Sequence, residues 1–361
     1  MSTIVTSDLV TSNPILAIKS IATSKLVAST LAFGLALSVI ASPMTAFAQK
    51  SWKPDRPLEI IVGTDPGSGF DRTARLLQKI WQTTHLVEQP VTVVNKAGGF
   101  GAIGWAYMNQ RGKSGNMVAI MSPLLLTNKI TGNMDLSYRD VAPLALLEDE
   151  EIAFAVYADS PIKTGKDFIA KLQHDPTSVS VGVSGIGGQN HVALALVAQA
   201  ASGIELPKIK VVSFAGSGDV TTAVIGGHVE STASPASTVG PQVQAGRMRA
   251  IGISSERRIG GALADVPTWR EQGVDAVFSN WRGVIGPKGM TPEQTRYWDD
   301  IFAKTVETQE WKDEIQRSQL TGHYLPSHET GEFLSAENEK LIGVMNKLGL
   351  SKEASAPQAA R

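Results

Sequence analysis

Short runs of β-branched and aliphatic residues recur along the chain, and after most of them the apolar positions switch to a spacing of three and four. Residues 58–62, 91–94, 117–121, 179–183 and 208–214 read as buried strands, each followed by a turn bearing Gly, Ser or Pro and then by an amphipathic segment. That alternation predicts an α/β protein with parallel sheets. The first helix is the easiest to define, because Asp71 has the chemistry of an N-cap and Ala74, Leu77, Ile80 and Trp81 fall on one face of a helix over 72–81. Two further strand-like stretches, 141–158 and 277–286, stand far apart with a self-contained βα set between them. They predict two crossovers in a discontinuous two-lobe molecule, with residues 49–150 plus 280–361 in the first lobe and 151–279 in the second. The tail over 351–361 is small, polar and alanine-rich, and reads as frayed.

Residues 1–48 read as an address rather than a fold. Lys19 and Lys25 precede an apolar stretch over 26–41, and Ala46-Phe47-Ala48 supplies the small-x-small pattern for cleavage before Gln49. The stretch is shorter than the roughly 20 apolar residues of a spanning helix, and Ser29, Thr30 and Ser38 interrupt it. With no twin arginine and no cysteine to lipidate, the expected product is a free periplasmic protein carrying a cleaved signal peptide.

Composition narrows the function. The 361 residues hold 33 Lys and Arg against 34 Asp and Glu, so the basic face that a nucleic-acid partner needs is missing. The lack of cysteine excludes disulfide frameworks, thiolate metal sites and cysteine nucleophiles, and the six histidines show no metal spacing. Gly99-Phe100-Gly101-Ala102-Ile103-Gly104 satisfies the dinucleotide-binding pattern, but no Asp or Glu occurs between Asn95 and Met134 to hold a ribose. The penicillin-binding signatures at Ser160 and Lys163 share one lysine, and Pro161 would break the helix that must present the serine. A nucleophile elbow at Ser184 fails because Ile186 stands where its second glycine belongs. The expectation is a binding protein with no enzyme activity, no metal and no cofactor; a secreted α/β hydrolase or an oxidoreductase is the distant alternative.

Glycines gather where strands hand over to helices: Pro66-Gly67-Ser68-Gly69-Phe70-Asp71, Ala97-Gly98-Gly99-Phe100-Gly101, Gly185-Ile186-Gly187-Gly188-Gln189-Asn190-His191 and Ala215-Gly216-Ser217-Gly218-Asp219. In open α/β sheets such loops lie at the carboxyl ends of the strands, where ligands bind. Glycine lets backbone N–H groups converge on an anion, and the helix behind adds its positive end. Two such loops from each lobe predict a shared anion cleft, with the His191 ring as a further donor and Phe70 and Phe100 as walls.

These loops, with Val94-Asn95-Lys96 before the second of them, Gln244-Ala245-Gly246-Arg247-Met248-Arg249-Ala250 and Asp265-Val266-Pro267-Thr268 later on, resemble the periplasmic solute receptors of tripartite tricarboxylate transporters, the Bug receptor family. The resemblance covers essentially the whole chain after residue 48. It implies a type II periplasmic-binding-protein fold, two doubly wound lobes joined by two crossover strands, that closes on a small di- or tricarboxylate and hands it to a two-component membrane permease, working as a monomer. The chain departs from the family pattern in having Ser68 between Gly67 and Gly69, Asn190 before His191, and Phe214-Ala215-Gly216 where a lysine is common. The candidate ligand-binding set is therefore Gly67, Ser68, Gly69, Phe70, Asp71, Phe100, Gly101, Ala102, Ser122, Ser184, Gly187, Gln189, Asn190, His191, Ser217, Trp281 and Arg282. Within it Arg282 is expected to pair with a distal carboxylate. Phe70, Phe100 and Trp281 together suggest a flat slot, which makes an aromatic dicarboxylate the main rival to a citrate-like ligand; delivery to a sensor kinase instead of a permease is the other.

Overall fold

The first strand, LEIIV, is buried along nearly its whole length, because parallel strands flank it on both sides. The computed structural model describes residues 52–111 and 115–352. In chain order these form β1 (Leu58–Val62), α1 (Gly69–Thr83), β2 (Val91–Asn95), α2 (Ala102–Arg111), β3 (Met117–Met121), α3 (Leu124–Ile130), β4 (Val141–Asp149) and β5 (Ile152–Tyr157). Then come α4 (Gly165–His174), β6 (Val181–Ser184), α5 (Gln189–Ala200), β7 (Val211–Phe214), α6 (Ser217–Ile225), β8 (Ser231–Pro235), α7 (Ala236–Gln244) and β9 (Met248–Ile253). The chain closes with β10 (Arg282–Pro287), α8 (Pro292–Glu307), α9 (Gln309–Arg317), β11 (Thr321–Pro326) and α10 (Ser327–Lys347). The expected signal segment and the last residues of the tail lie outside the described residues.

Among the described residues the strands make two sheets, β11-β4-β10-β3-β1-β2 and β7-β6-β8-β5-β9. Both follow one plan: a parallel trio (β2-β1-β3 and β7-β6-β8), then an antiparallel strand (β10 and β5), beyond which the sheets continue through β4 and β11 and through β9. The chain passes between the sheets at Asp149–Ile152 and again between β9 and β10, where Glu151 and Ser279 form an antiparallel bridge.

Two sequence expectations need correction. Residues 91–94 and 208–214 do not form buried strands: β2 and β7 close the sheet edges, and their side chains are largely half-buried. The latter strand also begins only at Val211, since Leu206, Pro207 and Lys208 turn as a 3₁₀ helix. The second strand-like stretch pairs as a ladder only from Arg282 onward.

The expected apolar face of α1 is the face that is buried. Trp81 stacks at an angle on Trp298, 5.4 Å away, and donates its indole N–H to Thr305 Oγ1 at 2.8 Å. This locks α1 to α8, so the helix that presents the first glycine loop stands on a rigid base.

Candidate functional site

The loop from β1 into α1 is held from behind by Asp71. One carboxylate oxygen accepts the Gly67 N–H and the Arg75 guanidinium, each at 2.8 Å, while the other accepts the Asn95 amide at 2.9 Å. Burial pushes this carboxyl up, and the hydrogen bonds from Arg75, Gly67 and Asn95 outweigh burial and leave it below the ordinary value. Asp71 therefore braces the loop, and none of its described partners is positioned for a ligand. It is not the N-cap either: α1 begins two residues before Asp71, and Ser68 caps it, accepting the Asp71 N–H at 3.2 Å while its hydroxyl meets Thr64 Oγ1 at 2.6 Å. The cap takes up the Ser68 hydroxyl, and the amides of Gly69 and Phe70 have no acceptor among the described residues. Gly69 is required by close approach, since a Cβ there would lie 2.6 Å from Arg282 Nη2.

In the second loop, Gly98, Gly99, Phe100 and Gly101 all have positive φ, at 126°, 56°, 52° and 98°. Phe100 is the notable member: an aromatic residue in the left-handed region, 51% exposed. Buried Asn128 holds the turn by donating its side-chain amide to the carbonyls of Gly99 and Phe100 at 3.1 and 3.2 Å. With both carbonyls turned toward Asn128, the N–H groups of Gly99 and Phe100 are left without an acceptor among the described residues. Ala102 begins α2 behind them, and Ser122, at the end of β3, caps the turn into α3 through Leu124 N–H.

The second lobe contributes α5 and α6, both entered through a glycine with no side-chain cap. Their first-turn amides are free to meet an anion. Asn190 donates to Ser217 Oγ, which reaches Ser184 Oγ, each at 3.4 Å, so these residues form one polar cluster at the ends of β6 and β7. Gly187 has φ 75° and donates its N–H to His191 Nδ1 at 3.0 Å, which leaves the ring proton on Nε2. Burial lowers the His191 pKa to about 4, so at neutral pH the ring is an uncharged donor.

The two sets of loops meet. The Phe100 ring comes so close to Gly185 that a Cβ there would be 3.2 Å from it. On the first-lobe side, Thr64, Phe70, Phe100, Gly101 and Ser122 line a pocket of about 10 Å³, room for one water. Phe100, Ile103 and Ile186 are exposed apolar residues of these loops.

The crossover residues depart from the sequence expectation. Arg282 does not face the cleft: it is 3% exposed and paired with Glu148 at 2.9 Å and with Glu150, while Phe70 packs over its guanidinium at 5.3 Å. Two carboxylates already neutralise it, so it cannot serve as partner to a distal one. Trp281, neighbouring Arg282 in sequence, is 1% exposed and packs edge-on against Phe333. The expected slot of Phe70, Phe100 and Trp281 therefore does not form; Phe70 and Phe100 share a wall and Trp281 does not.

Sequence reasoning also passed over a buried polar chain that links the loops of the two lobes. Gln189 donates to Asn280 Oδ1 at 3.0 Å, Asn280 donates to Glu150 at 3.2 Å, Glu150 pairs with Arg282 and with Ser237, and Arg282 pairs with Glu148, which accepts from Thr73 in α1 at 2.7 Å. The signal was present in the four consecutive acids 148–151 at the end of an apolar strand, where solvated charges are not expected.

Residues 74–350 match the family model of the tripartite tricarboxylate transporter family receptor. A Cupriavidus necator protein, the UPF0065 protein in the gbd 5′ region, is 28% identical over 92% of this chain and 98% of its own length. A TctC solute-binding protein from Polaromonas superposes with a TM-score of 0.70 at 30% identity, covering 82% of this chain and 99% of that one. R. palustris Rpa4515, solved with adipate, has a TM-score of 0.71 at 21% identity over 82% of this chain and 99% of its own, a likeness of fold alone.

Proposed function

The chain belongs to the tripartite tricarboxylate transporter receptor family, and on that premise we propose that it captures a small di- or tricarboxylate between its lobes and delivers it to a two-component permease. The fold is the two-lobed type II periplasmic-binding architecture, and the protein is a solute-binding receptor and not an enzyme. The family is periplasmic, and among the described residues no helix is long and apolar enough to cross a membrane. The observation that carries the carboxylate reading is the contact of Phe100 with Gly185, which brings the free amides of the first-lobe loops beside the uncapped start of α5. Amides and a neutral His191 can each donate to a carboxylate oxygen without the desolvation cost of a buried cation.

In this reading residues 49–150 plus 280–361 and residues 151–279 are the units that close, Gly69, Phe70 and Phe100 grip one end of the ligand, with Gly101 and Ala102, whose amides bond Gly98 and Gly99, shaping the loop behind them, and Ser184, Gln189, Asn190, His191 and Ser217 receive the other. Residues 1–48 direct export, so protein from a periplasmic extract begins at Gln49 and works as a monomer. A thermal-shift screen of succinate, adipate and citrate tests it. A ligand bound near micromolar and supplied at about 1 mM stabilises by about 4 kcal/mol, a rise in Tm of roughly 8 °C or more. No shift with any of the three, at neutral pH and with folded protein, overturns the carboxylate assignment.

A further inference from the structure

Along the first crossover the side chains alternate. Glu148 and Glu150 turn toward Arg282 and α1, whereas Asp149 and Glu151 turn the other way, toward Ser279, Thr321 and His323. On that second face lies a cavity of about 980 Å³, walled by both lobes: the loop after β9 on one side, the start of β11 and one face of α10 on the other. None of the glycine-loop residues lines it.

Four carboxylates line this cavity, beside the cations Arg257 and Arg258, and three of the four are paired, Glu256 with Arg270 at 3.6 Å. Asp149 accepts from His323 Nδ1 and from Ser279 Oγ, both at 2.7 Å, and Glu337 meets the Lys340 ammonium at 3.5 Å. Glu151 differs. It is only 6% exposed, it is in no ion pair among the described residues, and its one partner is the Thr321 hydroxyl, at 3.5 Å from Oε1; Oε2 has none. Burial, reinforced by the charge of Asp149, pushes its carboxyl up to about 8, as expected of an acid lacking a countercharge. Around it stand aromatic walls, Trp281, Phe278 and Phe333, and the indole N–H of Trp281 is unpartnered. The chain already shows what suits this setting, because Lys340 lays its own ammonium 5.7 Å over the Phe278 ring at the rim.

We propose that this cavity is a second binding site, which takes a small organic ammonium ion with an apolar body, its charge on Glu151, which releases its proton to solvent as the cation binds, and its body against Trp281 and Phe333. Aromatic faces and a carboxylate recognise ammonium together, and a cavity this size holds a drug-sized molecule. An occupant would touch both lobes from behind the crossovers, so it would also bias their closure. The inference does not rest on the carboxylate reading.

The test is calorimetry of the purified protein with benzylammonium chloride, and with benzyl alcohol as the uncharged control. Saturable binding of benzylammonium below about 10 mM is expected, with benzyl alcohol at least about tenfold weaker. Glu151→Gln should lose about tenfold in affinity while its Tm rise with the carboxylate found in the screen is retained. Lys340→Ala, at a half-exposed position, removes the competing ammonium and should tighten binding by about threefold or more. No saturable binding by the unmodified protein, equal affinity for benzyl alcohol, or an affinity unmoved in both variants would overturn the site. Should Glu151→Gln fail to fold, Lys340→Ala and the benzyl alcohol comparison decide alone.

Discussion

Replacing Arg282 by methionine separates a buried strut from a ligand-binding arginine. The guanidinium is the only cation paired with Glu148 and Glu150 among the described residues, and all three side chains are buried. Methionine keeps much of the volume and leaves two buried carboxylates uncompensated, a loss of about 3–5 kcal/mol. The loss should be largely reversible by neutralising the partners. In Arg282→Met/Glu148→Gln/Glu150→Gln the amide oxygens can still accept from Thr73 and Asn280, while the new NH2 at position 150 can donate to the Ser237 hydroxyl, which bonds Glu150 here, and about 2 kcal/mol should return. Urea unfolding at pH 7.5 measures both variants, and calorimetry with the carboxylate found in the screen measures the cleft. The reasoning is refuted if Arg282→Met stays within about 1 kcal/mol of the unmodified protein while losing carboxylate binding, for then the arginine serves the ligand. It is equally refuted if the triple variant is no more stable than the single one.

Three further outcomes are expected. Phe100→Gly relieves a left-handed aromatic residue and should stabilise the protein by about 1 kcal/mol in urea while weakening carboxylate binding; a loss of stability would mean that the ring's packing outweighs its backbone strain. His191 has a folded-state pKa of about 4 against an ordinary 6.5, so as pH falls the unfolded chain takes up the proton first and stability drops between about 6.5 and 4. His191→Gln should remove that part, about 3 kcal/mol, from the difference between pH 7.5 and pH 4. An identical pH profile for the two proteins would show that the ring is solvated in the folded state. Trp105, whose ring lies 2.8 Å from where a Gly101 Cβ would be, should report ligand by its fluorescence, so the signal should vanish in Trp105→Phe and survive in Trp281→Phe; the reverse would place Trp281 on the cleft.

The strands at 58–62 and 117–121 were legible because hydrophobic runs that short, bounded by turn residues, have few other ways to be buried. So was the turn geometry of the glycine loops, since positive φ at Gly67, Gly98, Gly101, Gly185 and Gly187 is a local requirement that the residue type announces. The N-cap at Ser68 was misread as Asp71 because both residues suit a cap, and only the hydrogen bonds decide which one turns inward. Phe100 carries no sequence signal for its left-handed backbone, which neighbours impose through Asn128.

What the tertiary structure alone decided is which way the crossover side chains face. Facing in a strand follows a period of two, so it depends on register, and β10 joins β4 with an irregularity between Arg282 and Gly283. That shift puts Arg282 against Glu148 and Glu150 and sends Trp281 to the opposite side, with Asp149 and Glu151. Neighbours in sequence thus serve opposite faces of the crossovers, and no local pattern of hydrophobicity or charge records a register set by strands from distant parts of the chain.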